Sequence, residues 1–301
     1  MLTGIHFLLT YACTFECDHC FVYSAPNAPG TFTAQQIIQV LGEAQKIGTV
    51  EWIYFEGGEP LLFYPLLLHG IRQAAEMGFK VGVVSNAYGA ISDDVADLWL
   101  RPLAELGLAY LSISDDAFHY GEMAVTPARR ALAAAERLGI PTSPIAIEAP
   151  SVTIEERDTA EKGQPVIGGG VMFRGRAADK LTEGLPRRAW TDLVECPYEE
   201  LAYPSRVHVD AYGNVHLCQG LSMGNLWQTP LSELVQGYDA VAHPISGPLL
   251  RGGPAQLARE RGMAPADAYV DECHMCYSTR RALLGEYPDL LAPRQVYGFC
   301  D

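Results

Sequence analysis

Residues 4–20 read GIHFLLTYACTFECDHC, a β-forming run from Gly4 to Thr10 that gives way almost at once to Cys13, Cys17 and Cys20 in a CxxxCxxC pattern. Three thiols this close together, on a loop at the end of a strand, suit a soft metal centre. They can hold three irons of a 4Fe–4S cluster and leave the fourth iron open for reaction. The lesser alternative is a zinc site with a fourth ligand from His19 or elsewhere.

Outward from this stretch, strand-like runs alternate with amphipathic helical patterns. The runs Glu51 to Phe55, Lys80 to Ser85, Ala109 to Ser114 and Pro144 to Glu148 are separated by helical stretches at Ala34 to Lys46, Leu66 to Met77, Asp93 to Leu106 and Pro127 to Leu138, each ending near a glycine. The rhythm predicts an α/β fold with a parallel sheet and right-handed crossovers. Five strands, with Val166 to Phe173 as a sixth, are too few for a closed eight-stranded barrel. Ser151 to Gln164 reads as a loop. After about Leu185 the repeat stops. Val207 to Val209 and Val215 to Cys218 flank a turn at 210–214 and predict a β-hairpin, and a helix is expected to start near Cys273.

The chain has 21 basic against 36 acidic residues, a formal charge of −15. Such a surface repels phosphate backbones and anionic headgroups, which argues against nucleic-acid or membrane partners. No uncharged apolar stretch reaches the roughly 20 residues that span a bilayer. The apolar N-terminal run has neither a basic lead nor a small-residue cleavage site, so a cytoplasmic location is expected. In that compartment eight cysteines point to metal ligation rather than disulfides.

Further motifs sit at successive strand ends: Gly57-Gly58-Glu59-Pro60 after the second strand, Ser85-Asn86 after the third, and Ser112 with Ser114-Asp115 at the fourth. Singly they read as turns or helix caps. Together with CxxxCxxC, over about residues 4 to 175, they resemble the radical S-adenosylmethionine (SAM) superfamily. The resemblance implies a partial (β/α)6 TIM-like barrel over residues 1–185. It further implies a 4Fe–4S cluster on Cys13, Cys17 and Cys20, reductive cleavage of SAM to a 5'-deoxyadenosyl radical, and an electron donor of the flavodoxin or ferredoxin type. By the same resemblance Gly57, Gly58, Glu59 and Pro60 engage the SAM amino group, Glu59 through its carboxylate. Ser85, Asn86, Ser114 and Asp115 contact the methionyl or ribose portion, and His19 lies beside the adenine. Glu148 is the expected ribose ligand. The arginine that related maturases carry soon after the serine-aspartate segment is missing from 116–126, leaving Arg129 or Arg130 either to meet the SAM carboxylate or to lie on a solvated helix face.

Cys196, Cys218, Cys273 and Cys276 form a second four-thiol set, suited to zinc or another 4Fe–4S cluster. With the glycine-x4-cysteine hairpin at Gly213, this set resembles the twitch or SPASM-like subdomain of some radical SAM enzymes. That assigns residues 186–301 to a small auxiliary-cluster domain of hairpin plus helix. Cys300 is expected to be a spare thiol, with His216 and His274 beside ligands rather than ligating.

The expected function is a radical SAM oxidoreductase taking hydrogen from a small metabolite or a peptide, with the auxiliary cluster as electron acceptor. No recognition segment precedes the first strand here, which favours a small substrate. Asp116, His119, Arg174 and Arg206 are candidates to take the substrate proton. A maturase that crosslinks a peptide or activates a partner enzyme is the rival within the class, and a non-catalytic iron–sulfur electron carrier the rival outside it.

Overall fold

A computed structural model of the 301-residue chain describes residues 1–154 and 165–299. The first half is the expected repeat: β1 (Gly4–Thr10), α1 (Ala34–Ile47), β2 (Trp52–Gly57), α2 (Tyr64–Glu76), β3 (Lys80–Ser85), α3 (Asp93–Glu105), β4 (Tyr110–Ser114), a one-turn α4 (Ala117–Tyr120), α5 (Pro127–Arg137) and β5 (Thr142–Ile145). The boundaries follow local chemistry. Thr33 and Gln36 form a reciprocal capping box on α1, and left-handed Gly48 ends it. Thr126 caps α5 ahead of Pro127, whose fixed φ suits a first helical position.

Two readings of the next segment are corrected. Ser151–Ile154 is a strand, β6, rather than the start of a loop; it pairs antiparallel with β7 (Pro165–Gly168) in a ribbon of its own. The stretch from 166 to 173 therefore does not supply the sixth parallel strand. That strand comes from further along the chain. After α6 (Arg176–Lys180) and the short β8 (Arg188–Ala189), β9 (Arg206–Asp210) returns to pair parallel with β1, His6 opposite His208. β10 (Asn214–Cys218) and β11 (Leu221–Asn225) then continue the same sheet antiparallel. The order is β11-β10-β9-β1-β2-β3-β4-β5, six parallel strands of a partial barrel with the C-terminal hairpin hydrogen-bonded to its first edge. α7 (Leu231–Gly237), α8 (Ser246–Glu260), β12 (Ala268–Tyr269) and α9 (Glu272–Ala282) complete the chain; β12 pairs with β8.

Period-two alternation sorts the two faces of the sheet. Ile5, Phe7 and Leu9 of β1, Ile53 and Phe55 of β2, Val81 and Val83 of β3 and Val207 and Val209 of β9 are buried against Ile37, Leu41, Leu67 and Ile71 of the helices. Each fully buried side chain of this kind contributes about 1.5–3 kcal/mol. The opposite face is more polar, with His6, Tyr54, Glu56, Ser114 and His208. A second core around Tyr11, Leu217, Leu221, Leu249, Tyr277 and Tyr297 packs the C-terminal helices onto the hairpin. No helix among the described residues is long and apolar enough to cross a membrane.

Candidate active site

β1 delivers the chain to the cysteine loop, and buried groups hold that loop in place. The Cys13 amide donates to the Ala25 carbonyl at 3.1 Å, and Arg176, almost fully buried, donates to the carbonyls of Cys17 and Ser24, each at 2.8 Å. The second strand end closes on the same loop. Gly57 has φ 130°, and a Cβ on Gly58 would meet the Ala12 carbonyl oxygen at 2.1 Å, so only glycine allows this approach.

Cys13, Cys17 and Cys20 are free thiols that line one cavity of about 310 Å³. Polar hydrogens point at their sulfurs: the Phe15 amide at 3.5 Å and the Asn86 side-chain amide at 3.7 Å from Cys13 Sγ, and the Ser24 amide at 3.3 Å from Cys20 Sγ. Burial pushes the Cys13 thiol up to about 11 and Cys17 to about 12, so these groups hold their protons until a metal replaces them. Buried sulfurs with donors aimed at them fit a thiolate-bound cluster.

Gly57, Gly58, Ser85, Asn86, Ser114 and His19 line the same cavity. His19 sits against Phe118 with ring centroids 4.6 Å apart, and burial lowers its pKa to about 4. Other expected contacts point elsewhere. Glu59 is fully buried; one carboxylate oxygen accepts from the Leu61 amide at 2.9 Å and the Ser85 hydroxyl at 2.8 Å, and the other from the Asn86 amide at 2.7 Å. Its carboxylate thus ties the second strand end to the third and does not line the cavity, while burial raises it to about 7. Pro60 is buried at the start of the short helix that Glu59 caps. Asp115 accepts from Thr126 and Arg129, which occupies Arg129 on an exposed face. Glu148 is exposed.

Asp116 and His119 do reach the cavity, hydrogen-bonded to each other at 2.7 Å. Arg174 and Arg206 lie instead at the second cysteine set, both within 4 Å of Glu199. Glu56, which the sequence reading passed over, lines the cavity from β2. Arg176 was missed as well, because a lone arginine has no local signature of burial.

Cys196, Cys218, Cys273 and Cys276 border one small pocket together with Arg174, Glu199 and Arg280. β10 ends at Cys218, and Cys273 and Cys276 lie on the first turns of α9, capped by Asp271. Arg174 donates to Cys218 Sγ at 2.9 Å; Arg280, fully buried, approaches the same sulfur at 3.8 Å. Of the two buried guanidiniums only Arg174 is paired with a carboxylate, that of Glu199 at 2.9 Å, and thiolates would add the charge that Arg280 lacks. Among the described residues no three cysteine sulfurs lie within 4.8 Å of one another. Tetrahedral zinc with bonds of about 2.3 Å would hold them roughly 3.8 Å apart, so the wider spacing fits a larger group. His216 is held by Asp210 at 3.0 Å and His274 accepts from the Val270 amide at 3.3 Å, so neither is turned to the sulfurs. Cys300 lies outside the described residues. The two pockets share a wall: Phe21 lines the first, and Arg174 of the second lies 5.4 Å from its ring.

The chain is 29% identical over 119 residues to the tungsten-containing aldehyde ferredoxin oxidoreductase cofactor-modifying protein of Pyrococcus furiosus, covering 39% of this chain and 32% of that one. It is 26% identical over 107 residues to the putative peptide biosynthesis protein YydG of Bacillus subtilis, covering 36% and 34%. The matches thus span about a third of the length of each curated relative. Among solved structures, BtrN in complex with AdoMet and 2-DOIA shares the fold, with a TM-score of 0.51 and 16% identity over 79% of this chain and 83% of that one. The radical SAM superfamily model matches residues 7–162, more than half of the chain, from within β1 through β5 and including the cysteine loop; the chain belongs to the radical SAM superfamily, enzymes that use a 4Fe–4S cluster and SAM.

Proposed function

We propose that the chain is a radical SAM oxidoreductase in which residues 186–301 form a twitch-like region carrying a second 4Fe–4S cluster on Cys196, Cys218, Cys273 and Cys276. When bound, the first cluster and SAM supply a 5'-deoxyadenosyl radical, and the second cluster supplies an acceptor for the electron the substrate gives up. The observation that carries this reading is the shared wall: the cavity lined by Cys13, Cys17 and Cys20 meets the four-cysteine pocket through Phe21 and Arg174. In this reading Gly57, Gly58, Ser85, Asn86 and Ser114 hold SAM, His19 lies beside its adenine, and the paired Asp116 and His119 receive the substrate proton. A flavodoxin or ferredoxin reduces the first cluster, in the cytoplasm.

The substrate is a small metabolite or a peptide. The names of the two relatives, one a cofactor-modifying protein and one a peptide biosynthesis protein, support a maturase acting on a peptide as the second reading.

Anaerobic reconstitution tests the proposal. The wild-type chain should hold about eight irons, and the Cys13→Ala, Cys17→Ala, Cys20→Ala triple variant about four, with no 5'-deoxyadenosine formed from SAM and dithionite. Cys276→Ala should lose the other four irons yet still cleave SAM. A wild-type chain with four irons would refute the second cluster.

A further inference from the structure

Beneath the SAM cavity, three side chains from three adjacent strands meet on the inner face of the sheet: His6 of β1, Glu56 of β2 and His208 of β9. His208 Nε2 lies 2.9 Å from one carboxylate oxygen of Glu56, and His6 Nδ1 lies 3.4 Å from the other. One nitrogen of each ring and one oxygen of the carboxylate all fall within 4.8 Å of one another. Metal–nitrogen and metal–oxygen bonds of about 2.0–2.2 Å place neighbouring ligands roughly 3.0–3.4 Å apart, so these spacings match a coordination sphere.

The surroundings offer Glu56 no lysine or arginine. Among the described residues the only basic side chains within 4.0 Å of Glu56 are these two imidazoles. Arg206, the nearest basic residue along β9, reaches toward Glu199 instead. His6 Nδ1 has no hydrogen-bond partner. Next to the trio, Gln219 is 3% exposed; its Nε2 is 3.4 Å from His208 Nε2 while its Oε1 is unpartnered. The two ends of an amide are chosen by such contacts, and turning this one over would present a carbonyl oxygen to the same point. The Tyr54 ring stacks on His6 at 4.6 Å, and Glu56 itself lines the cavity.

We propose that His6, Glu56 and His208 form a site for a divalent first-row transition cation, with a vacant coordination position facing the cavity. Two imidazoles and one carboxylate are a donor set that such ions accept while keeping positions open. The Irving–Williams order favours zinc over manganese on these donors. The open position would take an oxygen or nitrogen donor of a molecule bound in the cavity. The site is independent of the reaction subtype and of the four-cysteine set.

Manganese is the probe of choice, because it prefers nitrogen and oxygen donors to thiolates and its free aqua ion has a strong paramagnetic resonance signal. Titration of Mn2+ into the anaerobically reconstituted chain should show about one site, displaced by one equivalent of Zn2+. Glu56→Gln and His208→Gln should each weaken Mn2+ binding at least tenfold while iron content and melting temperature hold. If Glu56→Gln does not fold, His6→Gln reads the same site from another of its ligands. Absence of a wild-type site at millimolar Mn2+, or wild-type affinity in a folded variant, would overturn the proposal.

Discussion

Glu59 belongs to a motif whose resemblance implies direct contact with SAM, yet its carboxylate is enclosed by the Leu61 amide, the Ser85 hydroxyl and the Asn86 amide. Its work at the residue scale is to join the second and third strand ends. Glu59→Gln should therefore leave SAM affinity within about tenfold of wild type, as titration calorimetry would show. Stability carries the larger signature. Burial raises the Glu59 pKa from 4.5 to about 7, so the folded chain keeps a proton that the unfolded chain releases. The protonated group's contribution is present below about pH 4.5 and is lost as pH rises through 7. Wild type should thus lose up to about 3 kcal/mol relative to Glu59→Gln between pH 4.5 and 8, at 1.36 kcal/mol per pKa unit. Unfolding curves with parallel pH dependence would exclude this, and a hundredfold loss of SAM affinity would restore direct contact.

The cysteine loop depends on what the neighbouring elements leave open. Because a Cβ on Gly58 would strike the Ala12 carbonyl oxygen, Gly58→Ala should push the loop off β2 and cost about 1–3 kcal/mol, as overpacking does. Iron retained by the first site should fall, which iron analysis on a Cys276→Ala background, where only the first site loads, would resolve; full iron retention would show that the loop adapts. The strands β1 to β4, their helices and the order of motifs at their ends were legible because each rests on a local pattern of alternation, capping or spacing. The hairpin of β9 and β10 was equally legible from its turn. Its pairing with β1 was not, since Gly4 and Arg206 lie far apart in the chain and nothing local records their register. The same separation hid Arg176, Arg280 and the meeting of His6 with His208. Asp115 and Glu59 were assigned to SAM by motif position alone, and only packing shows which way a carboxylate turns.

At the scale of the whole molecule, an acidic chain of net charge −15 places two cations, Arg174 and Arg280, in its interior beside Cys218. One continuous sheet carries both cysteine sets, the first after β1 and part of the second at the end of β10. Arg174 stands between them, with its guanidinium 5.4 Å from the Phe21 ring on the cavity side and 2.9 Å from the Cys218 sulfur on the other. A fixed positive charge at that distance stabilises the reduced, more anionic form of a centre on these thiols. Arg174→Gln keeps a donor in place and removes the charge, while Arg206 still faces Glu199 at 3.7 Å. The reduction potential of the second centre should shift to more negative values in a redox titration followed by paramagnetic resonance. The first centre should be unchanged. Because the substrate electron would then find a poorer acceptor, the ratio of 5'-deoxyadenosine formed to oxidised product should rise several-fold, with SAM cleavage itself maintained. An unchanged potential would remove Arg174 from the tuning of the second site, and a shifted potential with an unchanged ratio would show that the second site does not receive the substrate electron.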